Sequence, residues 1–433
     1  MLIISISIYM TQGKATGLDN NTCQKYAVLD KNLANHVTDL QKKTTEPKTS
    51  IPLGKSILVT PFNRNVMSTA DLDSVLPSHD MLYPQWKAFS SALESYTGSY
   101  NTLFVGFASV QLDTSILNML SPGIISQQVT SLYFMGNNLG GDELLLLSDI
   151  IEQSPTLEAL AICRNKLGDL KRGVSSRLAN AIRTHPNLQR LVLASCGIGN
   201  NKTILSCIRN KSLISIDMSS NDMSSDSAKI ISKFIAKAKN RRVTQLCLED
   251  NNFDDKDAIL FASALRLNNT LTSLDLGKNV ITDDGKSILL KSLFDDSSLN
   301  AVSDSNHKCR IIVHKKKNGR FRDYLTDETG QGVESFNVSK VSHKFGRRNK
   351  IHHCMFNPSS DGSFVLSHYE DLPLELWPEV LGLIKYRSTT DTVSLAKTQT
   401  LMFELLRATP CIFLSKNTQV QVVISRKRKF VRC

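Results

Sequence analysis

One 11-residue pattern occurs six times between residues 129 and 281 of this chain. It places apolar residues at positions 1, 4, 6 and 11 and asparagine or cysteine at position 9. The copies are VTSLYFMGNNL (129–139), LEALAICRNKL (157–167), LQRLVLASCGI (188–198), LISIDMSSNDM (213–223), VTQLCLEDNNF (243–253) and LTSLDLGKNVI (271–281). Such a repeat predicts a stack of similar units, each burying its apolar face against its neighbours.

Each unit has the length and pattern of a strand, a turn and a helix. The copies start 25 to 31 residues apart, and the intervening segments, such as GDELLLLSDIIEQS, combine early acidic residues with apolar residues at helical spacing. We expect the polar residues at position 9 to turn inward and bind backbone groups of the turn, with Cys196 as a small buried substitute. This ladder comprises Asn137, Asn165, Cys196, Asn221, Asn251 and Asn279.

The pattern L-x-x-L-x-L-x-x-N/C-x-L resembles the leucine-rich repeat of the ribonuclease-inhibitor class over residues 103–309, and is most similar to such proteins from unicellular algae. WKAFSSALESY (86–96) is similar to the helix before the first repeat of that group, and SLNAVSDSNHKCRI (298–311) to its closing repeat. The resemblance implies an α/β fold, a right-handed horseshoe solenoid with strands on its concave side and helices on its convex side. A flexible N-terminus and a small helical C-terminal extension are expected to flank it.

The predicted organisation has six parts. They are 1–80, mostly disordered or loosely structured; 81–128, a cap helix and a degenerate first repeat; 129–309, the repeats with a degenerate closing repeat, where stacking should stop; 310–350, a basic linker; 351–415, a helical segment; and 416–433, a basic tail. The apolar start MLIISISIYM lacks a basic region before it and is too short to span a bilayer, so we expect neither secretion nor a membrane span.

The net charge of +12 is concentrated outside the repeats. Residues 310–350 contain 11 Lys and Arg against 4 Asp and Glu, and residues 416–433 contain 6 against none. Residues 129–309 contain 22 against 20 and are nearly neutral. The basic clusters are typical of solvated tails, and also of nuclear-import signals or contacts with nucleic acid or acidic membranes.

The strand residues that face away from the core predict the binding surface. Positions 3, 5, 7 and 8 are apolar in the first copies, with two arginines, and acidic in the later ones. Such a gradient suits a protein partner with a basic patch, although exposed strand residues are polar in any solenoid. The candidate residues are Tyr133, Met135, Arg164, Arg190, Asp217, Gln245, Glu249, Asp250, Asp275 and Lys278.

The sequence offers no convincing catalytic or cofactor motif. LGKSIL (53–58) ends like a phosphate-binding loop but lacks the first glycine, has Thr49 in its place, and contains a proline. His307 with Cys309, and His343 with HHC (352–354), lack a second pair of metal ligands at suitable spacing. The scattered, odd number of cysteines favours a reducing compartment. We therefore expect no cofactor, no metal and no small-molecule substrate.

The sequence favours a non-enzymatic, monomeric scaffold that binds another protein on its concave face. We expect it in the cytoplasm, with a nuclear location as the alternative. Ran-type GTPase-activating proteins use a similar repeat scaffold and are an alternative function, although they typically follow it with an acidic tail, whereas a basic segment follows here. Nucleic-acid binding through the basic tails is a further alternative.

Overall fold

The structure, a computed structural model, describes residues 19–41, 55–59, 75–96, 103–237, 242–295, 297, 299–315, 321–323, 350–351, 376, 380 and 382. Its strands are β1 (Lys55–Val59), β2 (Leu103–Ala108), β3 (Ser131–Met135), β4 (Ala159–Cys163), β5 (Arg190–Val192), β6 (Ser215–Asp217), β7 (Gln245–Cys247), β8 (Ser273–Asp275), β9 (Arg310–Lys315) and β10 (Phe321–Asp323). Its helices are α1 (Asn20–Gln41), α2 (Tyr83–Glu94), α3 (Thr114–Ser126), α4 (Gly141–Gln153), α5 (Arg172–Thr184), α6 (Lys202–Leu205), α7 (Ser225–Ala236), α8 (Asp255–Arg266), α9 (Asp283–Leu293) and α10 (Leu299–Asp304). Short 3₁₀ turns precede α2 (Asp80–Leu82) and follow α6 (Ser206–Arg209).

All the described strands form one sheet, and their order in the sheet follows their order in the chain. β1 to β9 are parallel, and β10 is antiparallel to β9. From β2 to β9, helices connect the successive strands. This alternation confirms the leucine-rich-repeat solenoid that the sequence predicts.

The core lies between the sheet and the helix layer. Side chains alternate across a strand, so positions 4 and 6 of each copy point to the same side. Twelve side chains at these positions are buried: Leu132, Phe134, Leu160, Ile162, Leu191, Leu193, Ile216, Met218, Leu246, Leu248, Leu274 and Leu276. Each such burial stabilises the fold by roughly 1.5–3 kcal/mol relative to exposure.

Capping residues fix where several convex helices begin. The Asp254 carboxylate accepts hydrogen bonds from the backbone N–H groups of Lys256 (2.9 Å) and Asp257 (3.1 Å), and the Asp257 side chain accepts one from the Asp254 N–H (3.1 Å). Asp113 caps α3 in the same way by accepting from the Ile116 N–H (2.9 Å). These bonds satisfy donors that the first helical turn leaves free.

The turn after each strand has one backbone conformation in all six copies. Position 8 adopts a positive φ of 53° to 60° at Gly136, Arg164, Ser195, Ser220, Asp250 and Lys278. Most of these residues are not glycine, and the left-handed region costs a non-glycine residue roughly 1–2 kcal/mol. The surrounding hydrogen bonds must therefore hold the turn in place.

The polar residues at position 9 supply those hydrogen bonds. Asn221 is typical: its side-chain oxygen accepts from the N–H groups of Cys196 (2.9 Å) and Ile198 (3.3 Å) in the preceding repeat, and its amide donates to Leu193 O (2.7 Å) and Ser219 O (3.0 Å). Asn165, Asn251 and Asn279 also accept from the preceding repeat, whereas the Asn137 amide donates to Val110 O. Cys196 has no amide oxygen, and the Leu167 N–H donates to its backbone carbonyl instead (2.9 Å). The ladder thus joins each repeat to the one before it.

The N-terminal region is more ordered than the sequence analysis expected. Within residues 1–80, predicted to be mostly loose, α1 buries Tyr26, Leu29 and Leu33 against the core, and β1 pairs with β2. The buried side chains of α1 recur at helical spacing, but polar residues between them mask the pattern. The prediction is wrong for these two segments, which extend the cap of the solenoid.

Aromatic side chains seal this end of the core. Trp86 and Phe89 of α2 are buried beside Phe107 of β2, with ring centroids 6.1 and 6.4 Å from it. Phe107 stacks on Phe134 of the first full copy at 5.7 Å. These rings join the core of the repeats to the cap, where the His36 ring of α1 lies 6.3 Å from that of Phe89.

The C-terminal end also differs from the expectation. Stacking was predicted to stop within 298–311 and a linker to begin at 310, but β9 continues the parallel ladder and β10 then turns back on it. Lys350, expected in that linker, is buried and donates to the backbone oxygens of Leu293 and Asn306. Burial lowers the pKa of Lys350 to about 8. Ile311 and Val313 of β9 are buried, which explains why the sheet continues.

The remainder of the predicted linker, almost all of the helical segment 351–415 and the tail 416–433 lie outside the described residues. The predicted basic clusters and the histidines at 343 and 352–353 therefore have no structural description. None of the helices in the described ranges is long and apolar enough to cross a membrane.

Candidate functional site

The exposed side of the sheet presents its side chains in rows that run across the strands. Because the strands are parallel and in register, residues at the same template position are neighbours. The row at position 5 runs through Gly106, Tyr133, Ala161, Val192, Asp217, Cys247, Asp275 and Ile312. Its chemistry changes from apolar to acidic between β5 and β6.

The apolar half is built around an aromatic pair. The ring of Tyr133 meets that of Phe104 edge to face, with centroids 4.7 Å apart and planes at 80°. Both rings are partly exposed, as is Met135. A Cβ on Gly106 would come within 2.9 Å of the Phe104 ring, so glycine there leaves room for it. Phe104 was not among the predicted site residues, because it lies in the degenerate first repeat, outside the six template copies.

Two small buried residues follow the aromatic pair. Ala159 and Ala161 of β4 are buried although they lie on the exposed side of the sheet, because larger side chains on β3 and β5 flank them. Arg190, the first residue of β5, is exposed. Arg164 is half-buried and lies in the turn after β4 rather than on the strand itself. Of the two predicted arginines, Arg190 therefore lies on a strand and Arg164 does not.

The acidic half is less exposed than the sequence suggested. Glu249 and Asp275 are only 7% and 8% exposed, which corrects the expectation that both carboxylates face a partner. Lys278, itself exposed, forms an ion pair with Glu249 at 3.2 Å, and Asp275 accepts a hydrogen bond from the Gly277 N–H at 2.9 Å. These local contacts hold both carboxylates against neighbouring residues of the sheet, which reduces their exposure to solvent.

Asp217 and Asp250 are the predicted acids that reach solvent. Asp217 is half-buried and accepts from the N–H and hydroxyl of Ser219, at 2.9 and 2.7 Å. Asp250 is exposed and accepts from the Ser220 hydroxyl at 2.7 Å. Gln245, the first residue of β7, is also exposed on this side of the sheet. The accessible negative charge of this face therefore comes chiefly from two carboxylates held by neighbouring serines.

Cys247, Glu249 and Asp275 bring their side-chain ligand atoms within 4.8 Å of one another. Burial, together with the nearby Asp217, Asp275 and Glu249, raises the pKa of the Cys247 thiol to about 12. The thiol is therefore protonated near neutral pH, and Lys278 already pairs with Glu249. The cluster provides two carboxylates and a neutral thiol, which is a weak donor set for a metal and no nucleophile.

Three other buried thiols are similarly unreactive. Burial raises the pKa of Cys163 to about 11 and that of Cys196 and Cys207 to about 12. None of the six cysteines in the described ranges forms a disulfide, and five of them are buried. His307, at the closing end, contacts Ser303 O at 3.2 Å, and its neighbour Cys309 is buried. Cys163, Cys196 and Cys207 therefore have neither the exposure nor the low pKa of a catalytic thiol.

Comparison with known proteins agrees with this architecture. A family model described as Leucine Rich repeat matches residues 267–286. The chain is 28% identical over 157 residues to the Homo sapiens NACHT, LRR and PYD domains-containing protein 5, which covers 35% of this chain and 13% of that protein. It is 30% identical over 153 residues to the Mus musculus NACHT, LRR and PYD domains-containing protein 14, and this match covers 34% of this chain and 15% of that protein.

A third relative, the ribonuclease inhibitor of Sus scrofa, is 25% identical over 179 residues, covering 40% of this chain and 39% of that protein. The chain thus spans less than half the length of each relative. All three are mammalian, so the predicted similarity to algal members stays a prediction. The matched repeat and the strand–helix alternation lead to one architecture. This chain has the architecture of a leucine-rich repeat protein and is similar to the ribonuclease-inhibitor type.

Proposed function

We propose that this chain is a non-enzymatic scaffold that binds another protein on the concave face of its sheet. The observation that carries the proposal is the row at position 5, which changes from Tyr133 and small apolar residues on β3 to β5 to the half-buried Asp217 on β6, with the exposed Asp250 in the turn after β7. A surface with an apolar half and an acidic half fits a partner that presents a projecting apolar side chain beside basic side chains.

The apolar half is suited to anchor such a partner. Tyr133 and Phe104 already support each other edge to face, so burying them in an interface orders few additional torsions. Ala159 and Ala161 on the next strand are small and buried, so they add little bulk beside the aromatic pair. Aromatic groups commonly dominate the free energy of protein–protein association.

The acidic half is suited to orient the partner. Asp217 and Asp250 are held by hydrogen bonds from serines, so their charges occupy fixed positions before binding. Fixed charges accelerate association and select a register, and they add less to the affinity itself. The continuous sheet beneath them keeps both halves in place, which lowers the entropic cost of binding.

Other observations support the same class of function. The Sus scrofa relative is named for inhibiting a ribonuclease, and a ribonuclease is itself a protein. Burial raises the pKa values of Cys163, Cys207 and Cys247, which disfavours thiol catalysis. The cysteines of the described ranges form no disulfide, which suits a reducing compartment, and we propose a monomer in the cytoplasm.

Affinity capture from a native extract tests this proposal. The bait proteins are the wild-type chain, the double variant Asp217→Asn/Asp250→Asn, and the control Asp284→Asn/Asp304→Asn, which removes two exposed carboxylates from the helix layer. A fourth bait, Tyr133→Ala, tests the apolar half. Asparagine retains a hydrogen-bond acceptor, so the concave variant changes charge with little change of structure.

We expect one protein that the wild type and the control capture, and that the two concave-face variants lose. Equal capture by all four baits would contradict the concave-face proposal. Hydrolysis of GTP by a Ran-type GTPase, measured with and without the wild-type chain, separates the scaffold from the alternative GTPase activator. Nucleic-acid binding through the basic tails concerns residues outside the described ranges and stays an alternative prediction.

A further inference from the structure

The convex side contains a groove where one repeat is unusually short. Cys196 and Asn221 are the closest pair of position-9 residues, 25 apart. The connecting segment folds as the single turn α6 and the 3₁₀ turn Ser206–Arg209, whereas its neighbours α5 and α7 are helices of 13 and 12 residues. The space that a longer helix would have filled is a groove of about 940 Å³ along α5.

The groove is cationic. Four basic side chains line it, Arg177 and Arg183 from α5 and Arg209 and Lys211 from the short repeat, and none of the described residues that line it is acidic. Arg177 is already engaged by Asp149 and Glu152 on α4. Arg209 and Lys211 are exposed and form no ion pair with a described carboxylate. The groove thus has positive charge that the described part of the fold does not neutralise.

The remaining lining groups are hydrogen-bonding side chains. Asn180 and Thr184 lie on α5, where Asn180 accepts from Arg183 at 2.6 Å, and Thr203, Ser206 and Ser212 lie on the opposite wall. Amides and hydroxyls of this kind can satisfy the backbone of an extended peptide. The volume lies in the range of about 300–1,000 Å³ that is usual for ligand pockets.

We infer that this groove binds an acidic segment of a partner protein, with Arg209 and Lys211 pairing with its carboxylates. Guanidinium and ammonium groups form charge-assisted hydrogen bonds with carboxylates. A single-stranded nucleic acid is less suited, because the one aromatic ring in the lining, His185, is buried and both its nitrogens are engaged within the protein. The groove lies on the helix side, so this site is separate from the proposed concave face.

Fluorescence anisotropy with the full chain tests the inference. The probe is a fluorescein-labelled hexaglutamate peptide, with a hexaglutamine peptide and a labelled oligothymidylate as comparisons. The groove variant is Arg209→Gln/Lys211→Gln. The matched control is Lys256→Gln/Lys291→Gln, which removes the same charge from exposed positions on α8 and α9. Both variants keep the basic tails, so nonspecific attraction by the tails is equal in the two.

We expect the groove variant to bind hexaglutamate about tenfold or more weakly than the control, because charge-assisted hydrogen bonds are lost. A photo-cross-linkable version of the probe should label α5 or residues 203–212. Equal affinity of the two variants, or cross-links confined to the tails, would overturn the inference. Tighter binding of oligothymidylate that is lost in the groove variant would also overturn it, in favour of a nucleic-acid site.

Discussion

Replacing Asn221 by alanine should destabilise the solenoid more than any exposed substitution. The Asn221 side chain is fully buried and makes four hydrogen bonds, two to N–H groups of the preceding repeat and two to backbone carbonyls. Alanine leaves all four backbone groups without these partners and in a buried turn. At roughly 1 kcal/mol for each net hydrogen bond, the free energy of unfolding should fall by about 4 kcal/mol. That is a large share of the roughly 5–15 kcal/mol of a typical domain.

Two further variants make the comparison quantitative. Cys196 occupies the equivalent position with one weak thiol donor, directed at Ile162 O, so Cys196→Ala should cost clearly less than Asn221→Ala. Asn252 is the same residue type at an exposed position next to the ladder, and Asn252→Ala should change stability by less than about 0.5 kcal/mol.

Urea denaturation followed by far-ultraviolet circular dichroism measures all three. We expect the loss in free energy of unfolding to be largest for Asn221→Ala, smaller for Cys196→Ala and smallest for Asn252→Ala. A loss below about 1 kcal/mol for Asn221→Ala would refute it, since the ladder would then contribute no more than one ordinary hydrogen bond.

Three other measurements test separate parts of the fold. A Cβ on Gly168 would overlap the carbonyl oxygen of Gly197, so Gly168→Ala should lower the Tm by several degrees. A Cβ on Gly173 has no atom within 4 Å, so Gly173→Ala should not lower the Tm. Equal Tm values for the two variants would contradict the contact between Gly168 and Gly197. Burial lowers the pKa of His185 in the folded chain, so the unfolded chain binds a proton at a higher pH than the folded chain. The free energy of unfolding should therefore fall as the pH drops below about 6.5. This dependence on pH should be weaker in His185→Gln, and an unchanged dependence would show that His185 is not its cause. Burial raises the pKa of Cys207 to about 12, so this thiol should resist alkylation until urea unfolds the chain; rapid labelling of native protein would argue against its burial.

The repeats could be predicted because each contributes the same local pattern. Alternation within a strand decides which side chains enter the core, and the template repeats that alternation six times, so the sheet and its register follow from the sequence. The helix α1 was missed because its buried face includes Cys23, Tyr26 and Ala27, which resemble no strong apolar stripe. Its place in the cap depends on contacts with α2 that lie far away in the sequence.

The burial of Glu249 and Asp275 could not be read from the sequence. Their template positions face away from the core, and exposure was the natural expectation. Their burial depends on a side chain from the next repeat, Lys278, and on a carboxylate that folds back on the Gly277 N–H. The repeat pattern indicates the side of the sheet on which each residue lies, whereas its accessibility on that side depends on neighbours one strand away.

The groove, unlike the burial of Glu249 and Asp275, has a cause that can be recognised in the sequence. The 25-residue interval leaves too few residues for a full helix between Cys196 and Asn221, and the fold has α6 and a 3₁₀ turn there. The strand that follows, β6, also carries Asp217, the first carboxylate of the concave row. Shape changes on the convex side and charge changes on the concave side at the same point of the stack. A regular repeat makes every position equivalent, so the proposed groove depends on the shortest interval, and the change of charge on the other side of the sheet begins on the strand that follows it.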